Sequence, residues 1–140
     1  MNDRYLYRAK RIDNGEWVEG YYVKTKLGNN AVPVDVIFVP WKENRSDEWG
    51  WIEIDSSTIC QCTGLKDKNG KLIWENDFMI GYLDDIYQED ATYVRVMWRN
   101  NGFCTHQNGY DDFEILDEFD QNNFEVCGNI FDNPELLELD

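Results

Sequence analysis

A nucleophile paired with a general base is the simplest chemistry this chain could perform, and its sequence leaves one place for it. His106 is the sole histidine, so any Cys–His or Ser–His–Asp system must use it. Cys104 lies two residues away, and in a strand that spacing puts both side chains on one face. The neighbouring sequence specifies neither an orienting carboxylate nor an oxyanion site, and a catalytic set is defined by geometry rather than by spacing. The expectation is therefore a surface histidine on a hairpin strand, no catalytic residue and no enzyme.

Metal and cofactor chemistry fares no better. The cysteines are Cys60, Cys62, Cys104 and Cys127. Cys60 and Cys62 are spaced C-x-C, and the paired C-x-x-C or H-x-x-x-H units of zinc sites are missing. Reduced, mostly buried thiols are expected. Adjacent carboxylates such as Asp84-Asp85 and Asp111-Asp112 are unavoidable among 28 acidic residues, and glycosidic chemistry needs two carboxyls at a fixed separation across a cleft. Asp67-Lys68-Asn69-Gly70 lacks the spaced ligands and closing Glu of a calcium loop and reads as a turn. No phosphate-cradling G-x-x-x-x-G-K-[ST] or G-x-G-x-x-G is present,. No metal and no cofactor is expected.

Charge and aromatic content point toward surfaces instead. The 140 residues include 13 basic and 28 acidic ones, a net charge of −15. That balance repels phosphates, so direct nucleic-acid binding is not expected. The charge is unevenly spread: residues 1–45 carry eight bases and six acids, whereas residues 110–140 carry 11 acids and no base. Asp84, Asp85, Asp111, Asp112, Glu114 and Asp117 are candidates for an acidic contact surface, and a solvated face that keeps the chain soluble is the plainer reading. Six Trp, eight Tyr and seven Phe exceed what one small core must hold. Trp41, Trp49 and Trp51 flank a loop and could form an exposed patch for oligomerisation or partner binding. Core and cross-strand packing is the alternative. No stretch reaches the roughly 20 apolar residues of a membrane span, and the first 11 residues contain no apolar signal region. A cytoplasmic protein without a membrane partner is expected.

These residues must be positioned by short β elements. Asp13-Asn14-Gly15 separates two strand-like runs and predicts a hairpin. Val32 to Val39 is β-rich, with Pro33 and Pro40 confining it to an edge or an end. Trp49 to Ile54, Phe78 to Tyr82, Tyr93 to Trp98, Phe103 to His106 and Phe124 to Phe131 read as further strands. Asn100-Asn101-Gly102 is a turn, the 84–90 stretch a loop, and Asp112 to Phe119 either a strand or a short helix. Asn133 reads as a helix N-cap with Pro134 at the first helical position. The sum is a mainly-β protein with small α content. It comprises an N-terminal β portion (1–60), a C-terminal SH3-like β-barrel portion (61–140) and a short C-terminal helical turn. The two portions could also form one compact unit.

Three blocks carry a recognisable pattern. The first is Tyr7-Arg8-Ala9 with Asp13-Asn14-Gly15-Glu16-Trp17-Val18-Glu19-Gly20. The second is Cys62-Thr63-Gly64-Leu65-Lys66-Asp67-Lys68-Asn69-Gly70-Lys71, continuing through Ile73-Trp74-Glu75-Asn76-Asp77. The third runs from Phe124 through Gly128-Asn129-Ile130 to Asn133-Pro134-Glu135-Leu136-Leu137. Together they resemble the YopX family of phage and prophage proteins. This chain departs from the family in having Cys62 for an aromatic residue and Asn76 for a glycine; Asn can follow Gly into positive φ. The resemblance implies a phage- or prophage-encoded, self-associating β protein inside a bacterial host, with no established catalysis to carry over. It favours a non-enzymatic interaction module that binds itself and a protein partner. The alternative is an acidic nucleic-acid mimic that inhibits a host or phage DNA-binding protein.

Overall fold

Asn14 shows how locally the first strands are determined. Its Oδ1 accepts a hydrogen bond from the Glu16 N–H at 2.9 Å, and Gly15 takes a φ of 74° that a residue with a Cβ resists. The expected hairpin closes around this turn. A computed structural model describes residues 5–26, 32–40, 49–82 and 91–138. They fall into two compact units, residues 1–62 and 63–140.

In the first unit β1 (Tyr7–Lys10), β2 (Trp17–Thr25), β3 (Val34–Val39), β4 (Gly50–Glu53) and the start of β5 (Cys60–Lys66) are ordered β4-β3-β2-β1-β5. All paired neighbours run antiparallel. Pro33 and Pro40 sit just outside the ends of β3. That placement suits an interior strand, where a missing N–H would break the ladder. Ala9, Val18, Ile37, Val39 and Ile54 form the core of this unit. Gly20 lets β2 approach its neighbour, because a Cβ there would lie 2.3 Å from the Phe38 carbonyl oxygen.

The second unit holds the rest of β5, β6 (Leu72–Trp74), β7 (Asp77–Tyr82), β8 (Ala91–Arg99), β9 (Gly102–His106), β10 (Phe113–Ile115), the helix α1 (Glu118–Asn123) and β11 (Phe124–Asn129). Its antiparallel sheet is ordered β10-β9-β8-β7-β11, over a core of Ile73, Met79, Val94, Val96, Leu116 and Phe124. The turn between β8 and β9 places Asn100 and Asn101 at φ 54° and 69°. Both residues of this two-residue loop thus take the positive φ of a primed hairpin turn, a role Asn fills well. The Asp112–Phe119 stretch resolves into both expected elements, a strand and then the start of a helix. Asp117 makes the break: its Oδ1 accepts from the Asp120 N–H at 3.3 Å, and Asp120 Oδ2 accepts from the Asp117 N–H at 3.1 Å, a reciprocal cap,.

The mainly-β class holds. The barrel expectation does not advance equally: β10 and β11 stand at opposite ends of the sheet order, and among the described residues no pairing closes it. The end of the chain also differs in detail. Pro134–Glu138 is a 3₁₀ turn, and Asn133 does not cap it through its side chain. Its Oδ1 instead turns back to accept from the Asn129 N–H at 3.2 Å. The expected 84–90 loop lies outside the described residues. Among the described residues no helix is long and apolar enough to cross a membrane.

Candidate functional site

The most distinctive sequence blocks are consumed by architecture. Thr63 Oγ1 donates to the Ile73 carbonyl at 2.8 Å and accepts from the Leu65 N–H at 3.1 Å. Asp67, only 6% exposed, accepts through Oδ1 from the N–H groups of Asn69 and Lys71, both at 2.9 Å. Those local bonds were expected of a turn aspartate. Its Oδ2 does something the sequence did not reveal, accepting from the Val126 N–H on β11 at 2.8 Å. Beside it the Lys68 N–H donates to the Phe124 carbonyl at 3.1 Å, and Asn69 Nδ2 donates to Glu125 Oε2 at 2.7 Å. The turn block thus covers the outer edge of β11. A buried carboxylate is tolerated because several N–H donors satisfy it.

Asn76 occupies positive φ, 71°, as its substitution for glycine anticipated. Its Oδ1 also accepts from Arg95 Nη2 at 2.9 Å, its N–H donates to Val96, and its carbonyl accepts from Ile130. In the C-terminal block Asn129 Oδ1 accepts from the Phe131 and Asp132 N–H groups at 3.0 and 2.9 Å. A Cβ on Gly128 would lie 2.5 Å from Asn133 Oδ1, so a larger residue there would have to displace the Asn133 side chain from its bond with the Asn129 N–H.

The nucleophile candidates sit in unpromising surroundings. Burial pushes the Cys104 thiol up, with the charge of Arg99 opposing it. Burial also raises Cys127, helped by Glu125 and Asp77. A raised pKa leaves less thiolate to react. His106 Nε2 lies 2.7 Å from the Tyr110 carbonyl, and its ring stacks on Phe113 at 4.5 Å. Cys60 and Cys62 are fully buried on one face of β5, and Cys60 Sγ donates to the Thr58 carbonyl at 3.3 Å. Among the described residues no three His, Cys, Asp or Glu gather to hold a metal ion.

The surface candidates divide by place. Trp41, Asp84 and Asp85 lie outside the described residues. Trp49 and Trp51, 61% and 54% exposed, stand at β4, the end strand of the first unit's sheet. Trp51 pairs across the ladder with Phe38, ring centroids 4.8 Å apart, so its indole is held while exposed. It borders a depression of about 290 Å³ lined by Arg11, Ile12, Asp13, Ile52 and Glu53. Asp111, Asp112 and Glu114 are exposed around β10, in the second unit. Asp117 is exposed too, but its carboxylate is engaged in the cap of α1. Sequence reasoning passed over Asp120, which is buried beside it. Desolvation raises its carboxyl to about 6; the backbone bond from Asp117 opposes this, and the charges of Asp117 and Glu114 add to it,. It also passed over Ile115, 79% exposed; the alternation in Phe113-Glu114-Ile115 was its only signal, blurred by the competing helical reading.

Comparison with known proteins agrees with this layout. The crystal structure of protein EF1440 from Enterococcus faecalis is similar, with a TM-score of 0.54 and 26% sequence identity, covering 94% of this chain and 96% of that one. No curated protein matches the chain. The YopX protein family matches residues 6–138, a span that takes in all three sequence blocks and nearly the whole length. The chain belongs to the YopX family.

Proposed function

We propose that this YopX protein is a non-enzymatic module that associates with itself and with a protein partner, acting in the cytoplasm of a bacterial host as part of a phage or prophage programme. The observation that carries the reading is the pair Trp49 and Trp51, exposed at an end strand, with Trp51 braced by Phe38. Aromatic side chains held in place at a sheet edge lose little entropy on contact and bury much area. The family blocks, meanwhile, are engaged in turns rather than in a reactive site. The second unit is read as an SH3-like module. Its support is the connectivity, a four-strand meander β7-β8-β9-β10 followed by a short helix and a strand that returns beside the first.

The test is mass measurement in solution across micromolar concentrations at low and high salt. A salt-resistant oligomer weakened at least tenfold by the double substitution Trp49→Ala and Trp51→Ala is expected. A monomer throughout sinks self-association. The nucleic-acid mimic is the second reading, favoured by the exposure of Asp111, Asp112 and Glu114. It requires a DNA-binding partner that competitor DNA displaces and that reversal of those three charges releases. Asp117 is left intact in that test because it caps α1.

A further inference from the structure

The two edges of the five-stranded sheet are treated differently. On β11 the outer edge is occupied: Val126 donates to Asp67 Oδ2 and Phe124 accepts from the Lys68 N–H. On β10 no described strand pairs with the outer edge. The register shows which groups face outward there. Leu116 donates inward to the Phe103 carbonyl, and Glu114 stands opposite Thr105. By the alternation of an antiparallel ladder, the N–H and C=O groups of Phe113 and Ile115 point away from β9. Such an edge is a template for strand addition.

We propose that β10 accepts an extended basic segment of a partner protein, which adds as a further strand. Charge selects the occupant. Asp111, Asp112, Glu114 and Glu118 are exposed at or beside the strand, and residues 110–140 contain no base. One cation, Arg99, lies over the Phe113 ring at 3.9 Å. A second β10 would bring like charges face to face, whereas alternating basic and apolar residues would meet carboxylates and the exposed Ile115. This inference does not rest on Trp49 or Trp51, which belong to the other unit.

The probe is a capped ten-residue peptide of alternating lysine and valine, with capped decalysine as its control. Binding is read by fluorescence anisotropy and by amide hydrogen exchange on the full chain. Expected are binding of the alternating peptide, slowed exchange at Phe113 and Ile115, and at least tenfold weaker binding to Ile115→Pro. That substitution removes an outward N–H and spares the bonds to β9. If the variant fails to fold, exchange in the unaltered chain decides. Equal binding of decalysine with exchange unchanged at Phe113 and Ile115 overturns the proposal, as does absence of binding. Slowed exchange at those two amides on raising protein concentration alone makes the occupant a second copy and also overturns it. Loss of oligomers in Trp49→Ala/Trp51→Ala leaves peptide binding unchanged, which separates this test from that of self-association.

Discussion

Asp67 Oδ2 accepts a hydrogen bond from the backbone N–H of Val126 at 2.8 Å, joining the central turn to the last strand across 59 positions of sequence. The same carboxylate holds Asn69 and Lys71, so one side chain both shapes the turn and seals a sheet edge. Asp67→Ala leaves three N–H groups without that acceptor and is expected to cost about 3 kcal/mol. Asp67→Asn keeps the shape and one acceptor oxygen and should cost about half as much. Urea unfolding of the two variants against the unaltered chain checks both the size and the order; equal stability of all three refutes the linking role.

Asp120 makes stability depend on pH in an unusual direction. Its folded carboxyl titrates at about 6, above the ordinary value of 3.8. Between those two values the folded chain therefore binds more protons than the unfolded one, and Asp120's contribution to stability falls as pH rises through that window. Asp120→Asn removes the charge while its Oδ1 can still accept from the Asp117 N–H. The variant is expected to gain on the unaltered chain steadily from pH 4 to pH 6 and to be the more stable at pH 7. Melting temperatures of both across this range report the difference, with the carboxylates remote from Asp120 cancelling and its neighbours Asp117 and Glu114 contributing to it.

Asn76 combines a positive φ with a bond from Arg95. Asn76→Ala keeps a Cβ in the left-handed region, loses the side-chain amide that lets Asn tolerate it and drops the bond from Arg95, an expected loss of about 2–3 kcal/mol,. Asn76→Gly drops the bond but relieves the backbone, and should lose about 1 kcal/mol. Chemical denaturation giving alanine as no worse than glycine would show that φ does not matter here.

Raised thiol pKa values at Cys104 and Cys127 predict slow alkylation. At pH 7 both should react with iodoacetamide more slowly than free cysteine, because less thiolate is present, and the buried Cys104 more slowly than the exposed Cys127,. Peptide mapping by mass spectrometry at timed intervals measures this. A fast-reacting Cys104 would reopen the case for chemistry beside His106.

What was legible in the sequence was local. Asn14-Gly15 and Asn100-Asn101 dictate their hairpins because positive φ is a property of single residues. Strand runs such as Tyr93 to Trp98 are legible because β-branched and aromatic side chains suit a pleated surface. The acceptance of Asn76 in place of glycine follows from the same backbone physics, and the family is legible from its turn blocks. Of the candidate surface, Trp49 and Trp51 could be named by type and position, but the exposure of Trp51 depends on which face of β4 is left uncovered, Ile52 on the other face being half-buried. Asp117 was named for its charge, yet its carboxylate caps α1. Ile115 and Asp120 differ in burial, nearly full exposure against nearly none, though both sit in one acidic stretch. Only the tertiary structure decided these, and it decided that Asp67 meets Val126 and that Asn133 turns back to Asn129. Hydrogen-bond partners across the fold, desolvation and edge protection arise from which surfaces pack together, and no residue carries that in its own type or spacing.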